Sequence, residues 1–194
     1  GNGLVTVTGR DAISARASSL DFSAQLNVGY EGIGELTIED RGTVLAPRTQ
    51  IAVQAGSSGT LSLLGDASGR GVLETNVVIR GSGTATLNLN GGILRATLNE
   101  ADFLQGFATL SGGAEGVWID TNNHAVGAGT AFTGAADFNK LGLGTLTLGG
   151  LSTYTGATRV AGGTLRASAA GAFSAHSAHT VAAGATLDTA GLDQ

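Results

Sequence analysis

The chain has 194 residues, of which 33 are glycine, one is proline and none is cysteine or methionine. Its net charge is −5, 13% of its residues are charged and 42% are hydrophobic. That hydrophobic share excludes a disordered glycine-rich linker, which could not offset its ordering entropy. The absence of cysteine excludes disulfides, thiol catalysis and zinc–thiolate sites. The single lysine and the scattered arginines form no basic cluster of the kind that binds nucleic acid.

Apolar runs are short throughout the chain. None approaches the ~18 consecutive apolar residues of a membrane-spanning helix, so we expect no membrane insertion by this chain. Aromatic residues make up only 5% of the sequence, so the core must be mostly small and aliphatic. Because the chain contains no methionine, not even an initiator, we expect it to be a piece of a longer protein.

Short segments that begin with glycine and then alternate apolar and polar residues recur along the chain. In chain order they are Gly3–Val7, Gly34–Ile38, Gly59–Leu63, Gly83–Leu89 and Gly144–Leu148. Alternation with a period of two predicts half-buried strands. The residues expected to point into one continuous interior are Leu36, Leu61, Leu87 and Leu146. Asn88 and Asn90 flank Leu89 and are expected on the outer face.

The spacing of these segments indicates a solenoid. Gly34 and Gly59 are 25 residues apart, Gly59 and Gly83 are 24 apart, and Gly163 and Gly184 are 21 apart. The leucine-rich-repeat string is absent, and propeller blades need ~40–45 residues. The pattern therefore predicts an all-β, right-handed parallel β-helix of roughly eight coils, with residues 1–194 as one β-helix fragment. Glycines would occupy its corners.

Residues 98–107 and Pro47 do not follow the alternating pattern of the predicted strands. Leu98–Phe107 has a helix N-cap candidate in Asn99 and a candidate stop in Gly106. It predicts a short helical turn or a compact loop whose apolar side chains fold onto the rod. Pro47 cannot donate to a ladder of strands, so we expect it in a loop or corner.

Residues 138–167 form the most regular part of the sequence. Lys140-Leu-Gly-Leu-Gly-Thr-Leu-Thr-Leu148 is followed by Tyr154-Thr-Gly-Ala-Thr158 and by Gly162-Gly-Thr-Leu165. It resembles the passenger-associated transport repeat of bacterial autotransporters, and Ala157 departs from it where the family commonly has a second glycine. Before it, Leu98–Phe107 and Trp118–Asn122 resemble the stretch that often precedes this repeat, and the earlier half of the chain matches only in the spacing of its short segments.

The resemblance implies a right-handed β-helix that is exported through the outer membrane by a C-terminal translocator domain outside these 194 residues. The expected location is extracellular, at the bacterial cell surface. The repeat, residues 138–167, would have a structural role within the fragment. Its motif residues are Lys140, Gly142, Gly144, Thr145, Leu146, Leu148, Tyr154, Thr155, Gly156, Thr158, Gly162, Gly163, Thr164 and Leu165.

Few residues suggest a metal or catalytic site. His176 and His179 have a spacing that a helix could use for a metal, but their surroundings are Ala, Ser and Gly, so a solvated loop is the favoured interpretation. A polysaccharide lyase on this fold would need a strip of acidic and basic residues. Asp66, Arg70, Glu74 and Arg80 would form one only if the register brought them together; surface charge is the simpler interpretation.

Two further residues stand out because their types are rare in this chain. Lys140 is the only lysine, and its place in the repeat indicates capping or pairing at a corner rather than catalysis. Trp118 is the only tryptophan. It is expected either to pack in the core or at its rim, alternating with Ile119, or to mark a ligand-contact patch; packing is favoured.

The sequence favours a non-catalytic surface passenger that needs no cofactor or metal. It would act as a rigid adhesin or self-association stalk and support folding coupled to secretion. Expected partners are a host surface protein, a glycan or sister passenger chains, and not nucleic acid. The alternative is a carbohydrate-active β-helix enzyme, a lyase or a glycosidase. Fold alone cannot choose between them, because function depends on the site.

Overall fold

A computed structural model describes residues 1–9 and 18–194. Within those residues the regular structure is entirely strand, and no helix is present. The strands are β1 (Asn2–Val7), β2 (Ser19–Asp21), β3 (Gln25–Val28), β4 (Ile33–Ile38), β5 (Thr43–Leu45), β6 (Arg48–Ile51), β7 (Ser58–Leu64), β8 (Val72–Thr75), β9 (Val77–Arg80), β10 (Thr84–Asn90), β11 (Ile93–Ala96), β12 (Leu104–Gln105), β13 (Thr109–Ser111), β14 (Val117–Asp120), β15 (Ala125–Ala128), β16 (Ala131–Thr133), β17 (Phe138–Leu141), β18 (Thr145–Leu148), β19 (Thr158–Val160), β20 (Thr164–Ala167), β21 (His179–Val181) and β22 (Thr186–Asp188).

The strands stack in parallel sheets that run along a solenoid. The longest sheet has eight strands in the order β2-β5-β8-β11-β14-β17-β19-β21, so the chain makes about seven turns. Two four-stranded sheets accompany it in the N-terminal half, β1-β4-β7-β10 and β3-β6-β9-β12. A two-stranded sheet, β13-β16, and a four-stranded sheet, β15-β18-β20-β22, accompany it further along. The parallel β-solenoid predicted from the repeat spacing is confirmed.

One core runs through the stack. Leu36, Leu61 and Leu87 lie opposite one another on β4, β7 and β10, and all three are buried. Leu146 is buried on β18, and the four leucines belong to the same apolar cluster. The prediction of one continuous interior is therefore confirmed, because each coil places its inward residue directly over that of the coil before it.

The outer face follows the same alternation. Leu89 is buried, whereas Asn88 is exposed and donates a hydrogen bond of 3.0 Å to Ser62 one coil away. Asn90 accepts a hydrogen bond of 2.9 Å from the backbone N–H of Glu115. Both asparagines point outward as predicted, and both connect neighbouring coils.

The helical turn, one of the two alternatives for residues 98–107, is wrong. Glu100 forms a parallel bridge to Val126, and Leu104–Gln105 is the short strand β12, paired with β9. Asn99 caps no helix; its side chain accepts a hydrogen bond of 2.9 Å from the N–H of Ala125 on the next coil. Neighbouring coils thus satisfy the backbone groups that a helix would have paired internally. The apolar residues do fold inward as predicted: Phe103, Leu104 and Phe107 are buried.

Pro47 lies in the bend between β5 and β6, as predicted. Its carbonyl oxygen accepts a hydrogen bond of 3.0 Å from the N–H of Asn76 one coil further on. The described residues include no helix that is long and apolar enough to cross a membrane.

Candidate functional site

The repeat motif forms strands and corners of two consecutive coils. On β18, Leu146 and Leu148 point inward and are fully buried, while Thr145 lies on the outward face. β20 pairs with β18 in parallel, so Thr164 lies opposite Thr145 and Leu165 lies opposite Leu146. The Thr-Leu alternation therefore gives one apolar column inside and one threonine column outside.

Lys140 is the most unusual residue of the repeat because it is fully buried. Its Nζ donates to the hydroxyl oxygen of Thr121 at 3.0 Å and to the carbonyl oxygens of Gly142, Gly144 and Gly162 at 2.6, 2.7 and 2.8 Å. The ammonium thus sits among four uncharged oxygens. They belong to three successive coils, which pass through β14, β17 and β19.

Burial determines the protonation of this lysine. It lowers the pKa of Lys140 from 10.5 to about 8, and the carboxylate of Asp120 opposes that shift. Lys140 is therefore predominantly an ammonium ion at pH 7. Four oxygen acceptors satisfy its three N–H donors, so the buried charge is solvated by the protein itself.

Two glycines of the motif have backbone conformations that shape the oxygen cluster. Gly142 has φ of 75° and Gly163 has φ of 59°, in the left-handed region that L-residues with a side chain avoid. A Cβ at Gly163 would overlap the carbonyl oxygen of Gly144, which is one of the acceptors of Lys140. A Cβ at Gly144 would overlap the carbonyl oxygen of His124. The corner glycines therefore let three coils approach closely enough to share one ammonium.

Tyr154 begins a second buried polar group. Its hydroxyl lies 2.6 Å from the hydroxyl of Thr158, which lies 2.8 Å from that of Ser177. Ser177 also donates to the carbonyl oxygen of Gly156 at 2.7 Å. Burial raises the pKa of Tyr154, so its hydroxyl keeps its proton. The tyrosine ring packs against Phe138, and Phe138 packs edge-on against Phe132, with ring centroids 5.8 and 4.9 Å apart.

The segment around Gly156 tolerates the alanine that departs from the family pattern. Thr155 is exposed, and its N–H donates to the carbonyl oxygen of Gly134 at 2.8 Å. A Cβ at Gly156 would overlap the backbone of Ala136, so glycine is needed there. The N–H of Ala157 donates to the side chain of Asp137 at 2.7 Å, and its φ is not in the left-handed region.

The residues considered for a lyase strip do not come together. Glu74 lies on β8 in the long sheet, whereas Arg80 ends β9 in a different sheet. Asp66 accepts hydrogen bonds from Ser68 and Gly69 within its own turn, and these bonds lower its pKa. Arg70 stacks on Trp118. Asp66, Arg70 and Glu74 thus each make a different structural contact, and the four residues form no common strip.

Glu74 instead belongs to a charge ladder that sequence reasoning missed. Arg95 donates to Glu74 and to Asp120, each at 2.8 Å, and the three residues lie in register on β8, β11 and β14. These hydrogen bonds and charges raise the pKa of Arg95 against the opposing effect of burial. The signal in the sequence was opposite charges separated by one coil length.

Trp118 lies at the rim of the rod. Ile119 is buried and Trp118 points to the outer face, where the Arg70 guanidinium lies 3.7 Å above its ring. The indole N–H donates to the carbonyl oxygen of Glu115 at 2.8 Å. The favoured interpretation, rim packing with Ile119 as the inward neighbour, agrees with this arrangement.

The histidine pair is exposed. His179 lies on β21 with its ring 6.2 Å from that of Phe173, and His176 lies in the turn before it. Across residues 1–9 and 18–194, no group of three or more His, Cys, Asp or Glu side chains could hold a metal ion.

Comparisons with known proteins agree with this geometry. Residues 138–167 match the family model of the passenger-associated-transport-repeat. The adhesin BmaC autotransporter of Brucella suis biovar 1 (strain 1330) is 34% identical over 138 residues, which are 71% of this chain and 4% of that protein. The chain thus spans a small part of the length of the relative it matches, and no solved structure matches it significantly. With a β-solenoid built around this repeat, the chain is an autotransporter passenger domain, a class exported through the outer membrane to the bacterial cell surface.

Proposed function

We propose that this chain is a non-catalytic segment of a surface adhesin, in which a rigid solenoid stalk displays its outer faces to partners. The observation that carries the proposal is the continuous core, which joins buried residues from Val7 to Phe173 without a break. A core shared by successive coils resists bending, because bending would separate the stacked coils. The relative that matches over 138 residues is named an adhesin, which supports the same role.

A non-catalytic role is supported by how the charged residues are used. Arg95 forms ion pairs with both Glu74 and Asp120, and Lys140 is enclosed by oxygens. A screen of the purified chain on pectin, mannuronan, chitin oligomers and peptides tests this part of the proposal, and we expect no turnover. Reproducible turnover that disappears when one acidic residue is replaced would overturn it.

The partners we propose are a host surface protein, a glycan or sister passenger chains. The outward columns of small polar residues offer hydrogen-bonding groups to any of these; Thr86 and Asn88, for example, are exposed on β10. Sedimentation velocity over a range of concentrations tests for self-association, and a glycan array with a panel of purified host surface proteins tests for the others. If the chain remains monomeric and binds none of them, the adhesive role is overturned and a passive stalk remains.

We further propose that residues 138–167 support folding during secretion by forming the most stable part of the stack. Lys140 with its oxygen cluster and Tyr154 with its hydroxyl partners both lie in this region. Each joins successive coils through buried hydrogen bonds. Stability in a solenoid is close to a sum of coil and interface terms, so such coils can nucleate their neighbours.

Pulse-labelling hydrogen exchange during refolding tests the order of folding. We expect the amides of residues 140–165 to become protected before those of residues 18–60. Protection that appears first in residues 18–60 would contradict the folding role while leaving the adhesive role open to its own test.

A further inference from the structure

The oxygens around Lys140 make a more complete site than a buried lysine requires. Four acceptors lie within 2.6–3.0 Å of Nζ, three of them backbone carbonyls, although an ammonium group has three N–H donors. The glycine corners fix the carbonyl positions, because three of the four oxygens belong to Gly142, Gly144 and Gly162. The backbone therefore builds the oxygen cluster, and the lysine side chain only occupies it.

We propose that this oxygen cluster is a binding site for a primary ammonium group, built jointly by three coils and filled from within by Lys140. The lysine acts as a tethered ligand that locks the coils in register. Thr121 supplies its oxygen from the coil before Lys140, and Gly162 supplies its oxygen from the coil after it. A shift of either coil by one residue would remove an acceptor from the site.

This arrangement makes closure of the site depend on the coil that follows. The carbonyl of Gly162 reaches Nζ only after β19 has stacked on β17, since Gly162 lies two residues after the end of β19. In a chain whose C-terminal coils fold first, the acceptor would already be in place when Lys140 arrives. This consequence rests on the proposed folding role, whereas the ammonium site itself rests on the geometry alone.

Chemical rescue tests the ammonium site. Lys140→Ala removes the atoms from Cγ to Nζ, which together correspond to propylammonium. Loss of a buried, hydrogen-bonded charge is expected to lower the Tm by about 10 °C. Millimolar propylammonium chloride is expected to restore several degrees of that loss, increasing with concentration as a ligand of the folded state does. It should leave the wild-type Tm unchanged.

Three controls separate an ammonium site from a simple cavity. Propanol has a similar shape but no charge, and tetramethylammonium has a charge but no N–H, so neither should rescue Lys140→Ala. Val160→Ala creates a cavity at the residue that lies opposite Lys140 on β19, and propylammonium should not rescue it. Absence of rescue in folded Lys140→Ala, equal rescue by propanol, or rescue of Val160→Ala would each overturn the proposal.

A milder variant keeps the test decisive if Lys140→Ala does not fold. Thr121→Val removes one of the four acceptors and keeps the lysine. We expect its Tm to fall by at least about 3 °C, because the variant loses the hydrogen bond from the ammonium and also the 3.1 Å bond that the Thr121 hydroxyl donates to the carbonyl oxygen of Leu141. Thr147→Val is the matched control, since Thr147 lies on the outward face of β18. Equal Tm values for the two variants would overturn the proposal, whatever the order of folding proves to be.

Discussion

The first coil and the repeat coils have the same kind of sequence and different surroundings. Val5 on β1 lies in the inward register opposite Leu36, as Leu146 on β18 does opposite Leu165, yet Val5 is 46% exposed and Leu146 is fully buried. β1 is the edge of its sheet, with β4 as its partner, whereas β18 lies between β15 and β20. The alternation thus defines a strand, and coils on both sides make it stable.

The two regions also use polar residues differently. In the first coil, Gln25 of β3 lies on the surface and donates a hydrogen bond of 3.3 Å to Gln50 of the next coil. In the repeat, the corresponding connections are internal, through Lys140 and through Thr158 with Ser177. A hydrogen bond shielded from water is lost at a higher cost than an exposed one. We therefore expect the stability of the coils to rise from the first coil to the repeat.

The largest effect should come from charge placed in the stacked core. Leu146→Asp buries a carboxylate between Val126 and Leu165, which costs several kcal/mol and should prevent the whole chain from folding. Val5→Asp places the same charge at the inward position of the edge strand β1, where the side chain is already 46% exposed, so we expect a loss of only about 1 kcal/mol. Circular dichroism in urea measures both, and a folded Leu146→Asp or an unfolded Val5→Asp would remove the contrast between the regions.

A corner substitution should have the next largest effect. Gly163→Ala combines a left-handed φ with overlap of Gly144, so we expect a loss of about 3 kcal/mol. Gly184→Ala has a similar φ of 79° with open space around the new methyl group, so we expect about 1 kcal/mol. Urea unfolding of both variants isolates the contribution of close coil contact, and equal losses would show that the contact with Gly144 contributes nothing.

The pH dependence should report on Lys140. The folded chain releases this proton near pH 8, while the unfolded chain retains it to about pH 10.5. The unfolded chain therefore binds more protons in that window, and the free energy of unfolding rises with pH there. We expect wild type to gain about 2 kcal/mol relative to Lys140→Met between pH 7 and 9.5. The charged neighbours of Lys140 are Asp120 and, through it, Arg95.

Urea unfolding of both proteins across this pH range measures the difference between them, so that other titrating groups cancel. If the free energy of unfolding of wild type relative to Lys140→Met decreases as the pH rises, the oxygens hold the proton of Lys140 more tightly than water does. Burial would then not control the pKa of Lys140.

The smallest effect should come from the charge ladder. Arg95→Met removes two ion pairs whose side chains are partly exposed, so we expect a loss of about 1 kcal/mol that decreases in high salt. Arg159→Met removes a more exposed pair with Asp137 and should cost less. Thermal unfolding at low and high salt distinguishes the two variants, and a larger effect for Arg159→Met than for Arg95→Met would contradict this ranking.

The sequence predicts the strands, the inward leucines and the outward asparagines because each depends only on local alternation. It indicates that Lys140 caps or pairs at a corner, whereas Lys140 lies on β17 and only its side chain reaches the corner carbonyls. The oxygen cluster could not be predicted, since three of the acceptors are carbonyls that any residue type carries. The error at residues 98–107 has the same origin. Asn99 and the acids after it fit a helix start, and only the neighbouring coil shows where their hydrogen bonds go.

Native-state hydrogen exchange on the intact chain tests most directly whether the repeat coils are the most stable part of the solenoid, because it measures the stability of each coil in one experiment. We predict that amides of residues 140–165 exchange only through global unfolding, while those of residues 1–9 and 18–60 exchange through smaller openings and are less protected. Greater protection in residues 1–9 and 18–60 than in residues 140–165 would contradict this central claim.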